Sequence, residues 1–521
     1  MIDPLDRLAI AYLALPLLIF LCGWLEPWAA IPLLLGFAVA LRPLLVTVCA
    51  AMPVTRLQIA VATAVGCAWT ACGGTLHWVF ANADWHLRDA VLHDLVAGEW
   101  PVGYGALGGA QTLLRAPIGY YLPAALIGKS AGLLAAHAAL AAWTALGATL
   151  FLLQVLAQSP SSPRGAVTAA AVIVFFSGLD IVGTLLNARD GAGHGQLASH
   201  LEWWAGSYQY SSMTTQLFWV PNHALCGWLA VGLVSREAGA TQRARAAALA
   251  PQLPMVLVAV TLASPLTALG LAPFVIARVG ERVWRERDLS LLHPRIWAPA
   301  LALGLVVAAY LTLDSGRVPR GWTVGGGGAG MAGLSADLLR QAEFFFLEAG
   351  CIGLAVLALR RSSDLVLALV ILALLPVASF GSANDLAMRA SIPSLTVLAI
   401  GASLALAGKP GEPPRGAPLS VGARKALLGC LLLVGAVTPL HEIARAALLP
   451  AWPINREATL IGAACGRYPA HYVARLGESR LAQAFEQLLR SPHALPLGHL
   501  GPAACENPAV RLMKERGLPW P

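Results

Sequence analysis

Charged side chains are scarce in this 521-residue sequence, where Asp, Glu, Lys and Arg together make up 12% of the chain. An average soluble protein carries about 25%. Hydrophobic residues account for 57% of the sequence, and the mean hydropathy is +0.68. The apolar runs are long and continuous, whereas a β-barrel would show short alternating segments. The composition therefore excludes an ordinary soluble protein and predicts an all-α polytopic membrane protein embedded in a lipid bilayer.

Several catalytic motifs are also missing from the sequence. Gly128-Lys129-Ser130 ends like a phosphate-binding loop, but Pro123 occupies the required upstream glycine position, so ATP hydrolysis is not supported. HExxH and CxxC do not occur either. These absences remove the usual evidence for a self-contained metalloprotease or redox enzyme. The net charge of +8 comes mainly from arginines in short loops, so nucleic acid is not an expected partner.

The nine cysteines carry little information about function. Seven lie within or beside apolar runs, where Cys usually acts as a small hydrophobic residue. Cys465 and Cys505 lie instead in the polar C-terminal part of the chain. If that part is extracytoplasmic the two can form a disulfide, and a free pair is the equally open alternative.

The apolar runs predict about 11 transmembrane helices. The predicted spans are roughly residues 8–24, 29–50, 57–77, 131–157, 165–185, 213–234, 296–313, 346–359, 364–380, 391–407 and 423–440. Two segments fit no simple span, since 117–128 is too short to cross and 251–278 is too long for one helix and too short for two. Both contain a proline, Pro123 and Pro265, so we expect broken or re-entrant helices there.

Positive charge gives one consistent orientation, because arginine-rich segments between spans stay in the cytoplasm. These are the segments near 53–56, 164, 236–245, 278–295, 360–361 and 408–425. The extracytoplasmic parts are then 78–116, 186–212, 314–345, 381–390 and 441–521. The chain is thus predicted to comprise a membrane domain, residues 1–440, and an extracytoplasmic extension, residues 441–521. The run Gly325–Gly328 predicts a flexible linker, with a lid as the alternative.

The polar stretch 82–100, which follows the third predicted span, is the densest in reactive groups. Its candidate residues are Asp84, His86, Arg88, Asp89 and His93. In a helix that begins at Trp85, Asp89 and His93 stand four residues apart and Arg88 falls beside Asp84. A carboxylate near an arginine at a membrane interface can serve as a general base or hold a divalent cation. The alternative is an amphipathic interfacial helix whose charges face water.

A second stretch, residues 202–223, mixes aromatic, amide and acidic side chains. Its candidate residues are Glu202, Tyr208, Tyr210, Asn222 and His223. Aromatic side chains collect at membrane interfaces as anchors, but together with amides and hydroxyls they also form platforms for carbohydrate. Asn222 and His223 follow a proline inside a predicted span, where unpartnered polar groups are costly. Anchoring and substrate binding therefore both remain open for this stretch.

A third stretch, residues 382–393, leads from a short loop into a span. It contains Asn384, Asp385 and Arg389, with the last two residues four positions apart. An interfacial salt bridge is the simple interpretation. The functional one is that the planar guanidinium of Arg389 binds a phosphate at the mouth of the apolar bundle.

These three stretches together resemble the GT-C superfamily of integral membrane glycosyltransferases, which use polyprenyl-phosphate-linked sugars. Asp84-Trp85-His86 is similar to the acidic residue and its neighbours in the family's first extracytoplasmic loop. Gly98–Pro101 and Tyr120–Pro123 look like the segments that lead such loops back to the membrane. The resemblance implies that Asp84 activates an acceptor hydroxyl and that Arg389 contacts the donor phosphate.

The resemblance extends in layout over residues 57–440, with two departures. Two predicted spans precede the one before the acidic loop, and Asp84 is not followed by a second acid in a tight pair. The choice between Asp84 and Asp89, and the need for a divalent cation, therefore stay open. The expected function is transfer of a sugar to a glycan, lipid or protein acceptor on the outer face of a bacterial inner membrane, within the cell envelope. The alternatives are a transporter or flippase of a lipid-linked or amphipathic solute, and a non-catalytic envelope-assembly protein.

Overall fold

The protein is described here from a computed structural model, and it is mostly helical with a few short strands. The described residues are 2–46, 54–107, 109–187, 200–235, 240–324, 330–408, 419–477, 480–496 and 502–515. The predicted glycine linker Gly325–Gly328 lies outside this set, as do parts of the predicted loop 186–212 and of the segments 236–245 and 408–425. The helical content agrees with the class predicted from composition.

Helices run through the whole described chain. In the first half they are α1 (Pro4–Trp24), α2 (Pro27–Val46), α3 (Arg56–Cys72), α4 (Trp85–Ala97), α5 (Leu122–Ala131), α6 (Leu133–Leu156), α7 (Pro163–Val174), α8 (Asp180–Asn187), α9 (Met213–Trp219) and α10 (Pro221–Val234). In the second half they are α11 (Ala240–Leu249), α12 (Leu253–Ala263), α13 (Pro265–Arg285), α14 (Pro294–Thr312), α15 (Gly330–Phe345), α16 (Cys351–Leu357), α17 (Ser363–Leu374), α18 (Asp385–Ala390), α19 (Ile392–Ala407), α20 (Val421–Gly435), α21 (Val437–Leu448), α22 (Leu460–Ala463), α23 (Arg480–Glu486), α24 (Pro502–Cys505) and α25 (Pro508–Glu515). The strands are β1 (Val102–Gly103), β2 (Ala106–Leu107), β3 (Ala110–Leu114), β4 (Arg320–Trp322), β5 (Ala378–Phe380), β6 (Val473–Arg475) and β7 (His493–Ala494).

Among the described residues, seven helical segments are long and apolar enough to cross a membrane. They are Pro4–Trp24, Pro27–Leu44, Leu133–Leu156, Ala244–Ala263, Pro294–Thr312, Asp385–Ala407 and Val421–Leu448. Several other predicted spans coincide with shorter or interrupted helices, because α3 has 17 residues, α7 and α17 have 12 each, and a break at Val220 divides α9 from α10. The length and composition of these helices are those of a multi-pass membrane protein. The count of about 11 transmembrane helices stays a prediction.

The centre of the bundle is formed by α10 and α19. Every residue of α10 is buried, and so is α19 from Ile392 to Ala405. A helix that is apolar all round belongs in the interior, where it has no face to give to solvent or lipid. Around this centre α3 and α5 both pack on α6, and α13 packs on α10, α18 and α19. Gly270 is needed for this packing, since a Cβ there would collide with the carbonyl of Ala390.

Four of these helices begin with a proline in the first turn. The prolines are Pro123 in α5, Pro221 in α10, Pro265 in α13 and Pro393 in α19. The first turn tolerates proline because its N–H has no intrahelical partner there. Both prolines open a helix, and the predicted break in 251–278 is present at Ser264, between α12 and α13. The predicted segment 251–278 holds two helices after all, because α13 continues past it to Arg285.

The strands join segments that are far apart in sequence. β3 pairs antiparallel with β6, β1 pairs parallel with β7, and β4 pairs antiparallel with β5. The pairs join the predicted loop 78–116 to the C-terminal part of the chain, and the predicted loop 314–345 to the residues just before 381–390. We call the end of the bundle that carries Asp84 and these strands the Asp84 end. α21 continues to Leu448, so the predicted boundary at residue 440 falls inside a helix, and the described residues from 449 onward form the C-terminal segment. Cys465 and Cys505 form a disulfide within it.

Candidate functional site at the Asp84 end

Asp84 and Arg88 form an ion pair at the start of α4. The carboxylate oxygen Oδ2 of Asp84 lies 3.1 Å from a terminal nitrogen of Arg88, which confirms the contact predicted from their spacing. The Arg88 side chain is 4% exposed and the Asp84 side chain 43%. Arg88 also donates to Asn222 Oδ1 at 2.7 Å and to the Tyr121 hydroxyl at 3.3 Å. A buried guanidinium, bonded through both terminal nitrogens, thus holds a carboxylate that remains partly open to solvent.

From Asn222, polar contacts continue to the backbone of Arg389. Asn222 Nδ2 lies 3.1 Å from His223 Nε2, and His223 Nδ1 lies 2.7 Å from Ser264 Oγ. Ser264 donates to Thr267 Oγ1 at 2.6 Å, and Thr267 donates to the Arg389 carbonyl at 3.2 Å. We call this connected set the Asp84 cluster: Asp84, Arg88, Tyr121, Asn222, His223, Ser264, Thr267 and Arg389. It unites candidates from all three polar stretches of the sequence.

Arg389 is paired with Asp385, as their spacing predicts. The two side chains are 2.9 Å apart, 17% and 20% exposed respectively. Asn384 has a positive φ of 54° and caps α18 by accepting from the Ala387 N–H, while its amide donates to the carbonyl of Ser207. Asn384 therefore fixes the position of α18, and Asp385 and Arg389 are the charged groups that this short helix presents.

The electrostatics of the Asp84 cluster favour an anion. Burial by itself lowers the pKa of Arg88, but the neighbouring Tyr121 and Asp84 outweigh it and hold that pKa above its usual range. Four helices begin next to the cluster. Tyr121 directly precedes α5, Ser264 directly precedes α13, Asn222 lies in the first turn of α10, and Arg389 lies three residues before α19. Helix N-termini carry partial positive charge and unpaired N–H groups. Each arginine is balanced by an aspartate, and the four helix ends add positive potential to these two pairs.

The other side of α4 is occupied by a second set of contacts. His77 Nε2 lies 3.0 Å from Asp89 Oδ2, and the backbone N–H of Asn455 donates to the same oxygen at 3.1 Å. The Asp89 side chain is 0% exposed. The predicted approach of Asp89 and His93 is therefore wrong. Each side chain has turned to a different partner, because the C-terminal segment covers this side of the helix.

Asp94 continues the same buried set. It accepts from the Tyr104 hydroxyl and from the Leu460 N–H, both at 2.8 Å, and lies 3.0 Å from His93 Nδ1. Burial raises the pKa of Asp94, although the hydrogen bonds from these donors act to lower it. We call this set the Asp89 cluster: His77, Asp89, His93, Asp94, Tyr104, Asn455 and Leu460.

His86 lies on the same covered side of α4 and is 5% exposed. Burial lowers its pKa, with Asp89 acting in the opposite direction, so His86 is neutral near pH 7. Its described contacts are with the Asp89 side of the helix and with the backbone of Ala463. His86 is thus separated from the exposed Asp84 carboxylate by the helix itself.

Glu202 belongs to a third polar group, centred on His200. Glu202 accepts from Gln209 Nε2 and from the Ser212 N–H, both at 2.8 Å, and lies 3.3 Å from His200 Nε2. His200 Nδ1 lies 2.9 Å from Glu442. Burial alone would lower the pKa of His200, but Glu442 and Glu202 raise it to about 9. The two carboxylates therefore hold a protonated imidazole inside the protein.

Tyr208 and Tyr210 are buried and pack on Phe344, at ring-centroid distances of 5.4 and 4.7 Å. In the described contacts neither tyrosine, nor Glu202, reaches the Asp84 cluster. The stretch 202–223 therefore falls into two parts. Asn222 and His223 belong to the Asp84 cluster, whereas Tyr208 and Tyr210 pack on Phe344 and Glu202 belongs to the ionic group around His200.

Within the described part of the chain, no group of three or more His, Cys, Asp or Glu side chains is arranged to hold a metal ion. Asp84 belongs to the cluster and is paired with Arg88, and Asp385 lies beside the cluster and is paired with Arg389. A divalent cation bridging Asp84 and a substrate stays a prediction from the sequence.

Sequence reasoning missed four residues at this site: Tyr121, Ser264, Thr267 and Tyr472. Ser264 precedes a proline and caps α13 by accepting from the Thr267 N–H, which is a recognisable helix-start signal. Tyr121 lies in the Tyr120–Pro123 motif but has no local feature that marks its hydroxyl. Tyr472 comes from the C-terminal segment, and only the pairing of β3 with β6 brings it near.

Comparison of this chain with protein-family models, with curated proteins and with solved structures finds no match. Its function is therefore argued from the geometry and the charges of the Asp84 cluster.

Proposed function

We propose that this protein is a membrane glycosyltransferase that moves a sugar from a polyprenyl-phosphate carrier to an acceptor hydroxyl. The observation that carries the proposal is the Asp84 cluster, where one exposed carboxylate stands among Arg88, Arg389 and four helix N-termini. A carboxylate serves a hydroxyl nucleophile as a base, and the positive groups serve a phosphate leaving group.

The reaction assigned to this geometry needs no ATP, because the sugar phosphate ester is already activated. Asp84 takes the proton of the acceptor hydroxyl as its oxygen forms a bond to the anomeric carbon. The bond between that carbon and the phosphate oxygen breaks, and the electron pair leaves with the phosphate. Arg389 and the helix N-termini stabilise the negative charge of the released polyprenyl phosphate.

Arg88 is assigned a positioning role. It is almost fully buried, and its two terminal nitrogens are already bonded to Asp84, Asn222 and Tyr121. Its charge-assisted hydrogen bond keeps the Asp84 carboxylate oriented. Asp89 is not assigned the role of base, since it is buried and bonded to His77 and Asn455.

In the same proposal the Asp84 end faces outward across the cytoplasmic membrane of a bacterium, with about 11 helical crossings in total. The arginines near the other end support this orientation: Arg278 and Arg282 lie in the last turns of α13, away from Ser264. The acceptor is a hydroxyl-bearing glycan, lipid or protein of the cell envelope.

The test is transfer of radiolabelled sugar from a panel of polyprenyl-phosphate sugars, measured with the full chain in detergent or membranes. Asp84→Asn and Arg389→Gln are each expected to lower transfer by about 100-fold to 10,000-fold, the usual contribution of a catalytic base or charge-stabilising group. Glu99→Gln is the matched carboxylate control, because Glu99 lies at the same end and its side chain is 78% exposed. Arg285→Gln, at an exposed position of α13, is the arginine control. Full transfer by Asp84→Asn would contradict the proposal.

A transporter or flippase of a lipid-linked solute is the second candidate, favoured by the helix breaks at Val220 and Ser264. Both breaks lie inside the bundle and meet at the His223–Ser264 contact, and transporters place substrate at such discontinuities. Reconstituted vesicles distinguish the two candidates. Movement of a fluorescent polyprenyl phosphate across the bilayer without sugar transfer would favour the transporter.

A further inference from the structure

We propose that Tyr472 of the C-terminal segment is a further substrate-binding residue of the Asp84 cluster, and that its hydroxyl donates a hydrogen bond to the phosphate of the lipid-linked donor. This inference rests on the proposed glycosyl transfer and adds to it a part of the chain outside the membrane-spanning helices. It assigns the C-terminal segment to the active site itself.

Strand pairing sets the position of Tyr472. β3 and β6 pair with Leu114 opposite Val473, and the Arg115 N–H donates to the Tyr472 carbonyl at 2.7 Å. Tyr472 therefore stands at the point where the chain leaves β3 and enters the bundle toward Tyr121. Tyr121 bonds directly to Arg88, and both residues are electrostatic neighbours of Tyr472.

Further contacts fix Tyr472 from both sides. Arg115 donates to the carbonyl of Leu311 at 3.2 Å and also to that of Ala470. On the other side, Arg475 pairs with Asp314 at 3.2 Å. The backbone of Tyr472 is thus held between two anchored neighbours in the same short stretch of chain, so its position needs little ordering when substrate binds.

The charges around the phenol are those of the proposed site. Arg88, Asp84 and Arg389 all act electrostatically on Tyr472, together with the hydroxyl of Tyr121. Burial raises the pKa of Tyr472 to about 12 in spite of the two arginines, so the hydroxyl keeps its proton at neutral pH. In the described contacts this hydroxyl has no protein acceptor. A neutral O–H donor beside guanidinium groups suits an anionic phosphate, which accepts from both kinds of donor.

The test compares Tyr472→Phe with Tyr468→Phe in the full chain. Tyr468 lies four positions earlier in the same segment, and its hydroxyl donates to the backbone carbonyl of Tyr104 instead. Tyr472→Phe is expected to raise the KM for the polyprenyl-phosphate sugar by about tenfold to a hundredfold, the range for a lost hydrogen bond to a charged group. It should weaken binding of sugar-free polyprenyl phosphate by a similar factor and change kcat less. Tyr468→Phe should leave both constants near their wild-type values.

Two results would overturn the inference while leaving glycosyl transfer in place, provided that Asp84→Asn remains inactive. One is an unchanged donor KM and unchanged affinity for polyprenyl phosphate in Tyr472→Phe. The other is a lower melting temperature and lower kcat with an unchanged KM, which would assign Tyr472 a structural role. If instead Asp84→Asn transfers sugar normally, the proposed function itself fails. The affinity for polyprenyl phosphate still decides the role of Tyr472 in that case, because weakened binding supports it and unchanged binding overturns it.

Discussion

Two aspartates five positions apart, at the start and in the middle of α4, have opposite environments. Asp84 is 43% exposed and paired with a buried arginine, whereas Asp89 is 0% exposed and paired with His77. Asp84 keeps oxygen lone pairs available to a ligand. Asp89 uses the same atoms to bind a histidine and a backbone N–H of the C-terminal segment. The sequence context of the two is similar, so the partner from elsewhere in the chain decides which carboxylate can do chemistry.

The largest expected difference between the two aspartates is in stability, and Asp89→Ala tests it. Removing Asp89 takes the acceptor away from buried His77 and from the Asn455 N–H, and each buried donor left without a partner typically costs about 1–3 kcal/mol of unfolding free energy. Asp84→Ala, at a half-exposed position, should change the free energy of unfolding by less than about 1 kcal/mol. Thermal unfolding in detergent micelles measures both. Equal melting temperatures for the two variants would show that the Asp89 cluster is not a structural centre.

The next largest effect is expected from Tyr104→Phe. The Tyr104 hydroxyl donates to buried Asp94 at 2.8 Å, and loss of a hydrogen bond to a charged group costs about 1.5–3 kcal/mol. Sugar transfer per folded molecule should stay near the wild-type value, because Asp94 lies on the covered side of α4. The measurement is the melting temperature beside a transfer assay. A selective loss of transfer would place Asp94 in the reaction after all.

A smaller effect, on activity, is expected from Arg88→Lys. Lysine keeps the charge but lacks the planar fork that reaches Asp84, Asn222 and Tyr121 together, so about a tenfold loss of transfer follows from a poorly oriented carboxylate. Initial rates with saturating donor measure it, with Arg285→Lys as the exposed control. Rates that match the control would remove Arg88 from the site and leave Asp84 without a positioning partner.

The smallest effect concerns pH and the covered side of α4. The folded state holds the pKa of His86 below its ordinary value of 6.5, so below that pH the unfolded chain binds more protons than the folded one. Stability should therefore fall as the pH drops from 7 to 5, by at most about 1.4 kcal/mol per pH unit from this one group. Melting temperatures of the wild type and His86→Gln over this range test it. The variant should show a shallower fall, and identical curves would contradict the assignment.

The parts of the site that sequence reasoning could predict are those set by local helical spacing. Arg88 lies one turn after Asp84, and Arg389 one turn after Asp385, so both ion pairs follow once a helix is assumed. The membrane class followed from composition in the same way. Asn222 and His223 were found as polar groups at a proline inside an apolar run, where unpartnered groups are unfavourable.

The remaining parts depend on contacts between residues far apart in the chain. His77 meets the Trp452 carbonyl, Asp89 meets Asn455, and Asp94 meets Leu460, with sequence separations of 375, 366 and 366 residues. No local pattern encodes such pairs, so Asp89 seemed as available for catalysis as Asp84. The proline of 251–278 marks a break that the sequence predicted, but the length of the helix that follows depends on its neighbours, because a helix start and a helix break have the same local signal.

The pairing of α4 with the C-terminal segment also has a consequence for biosynthesis. Leu460 reaches Asp94 across 366 residues of chain, so α4 leaves the ribosome long before its cover exists. At a translation rate of about 5–20 residues per second, the interval is about 20 to 70 s. Asp89 and Asp94 gain their backbone donors from Asn455 and Leu460 only after that interval. A nascent chain that ends before the C-terminal segment already contains both arginines of the proposed site but lacks Tyr472, so the proposed site is complete only when the last part of the chain has been made.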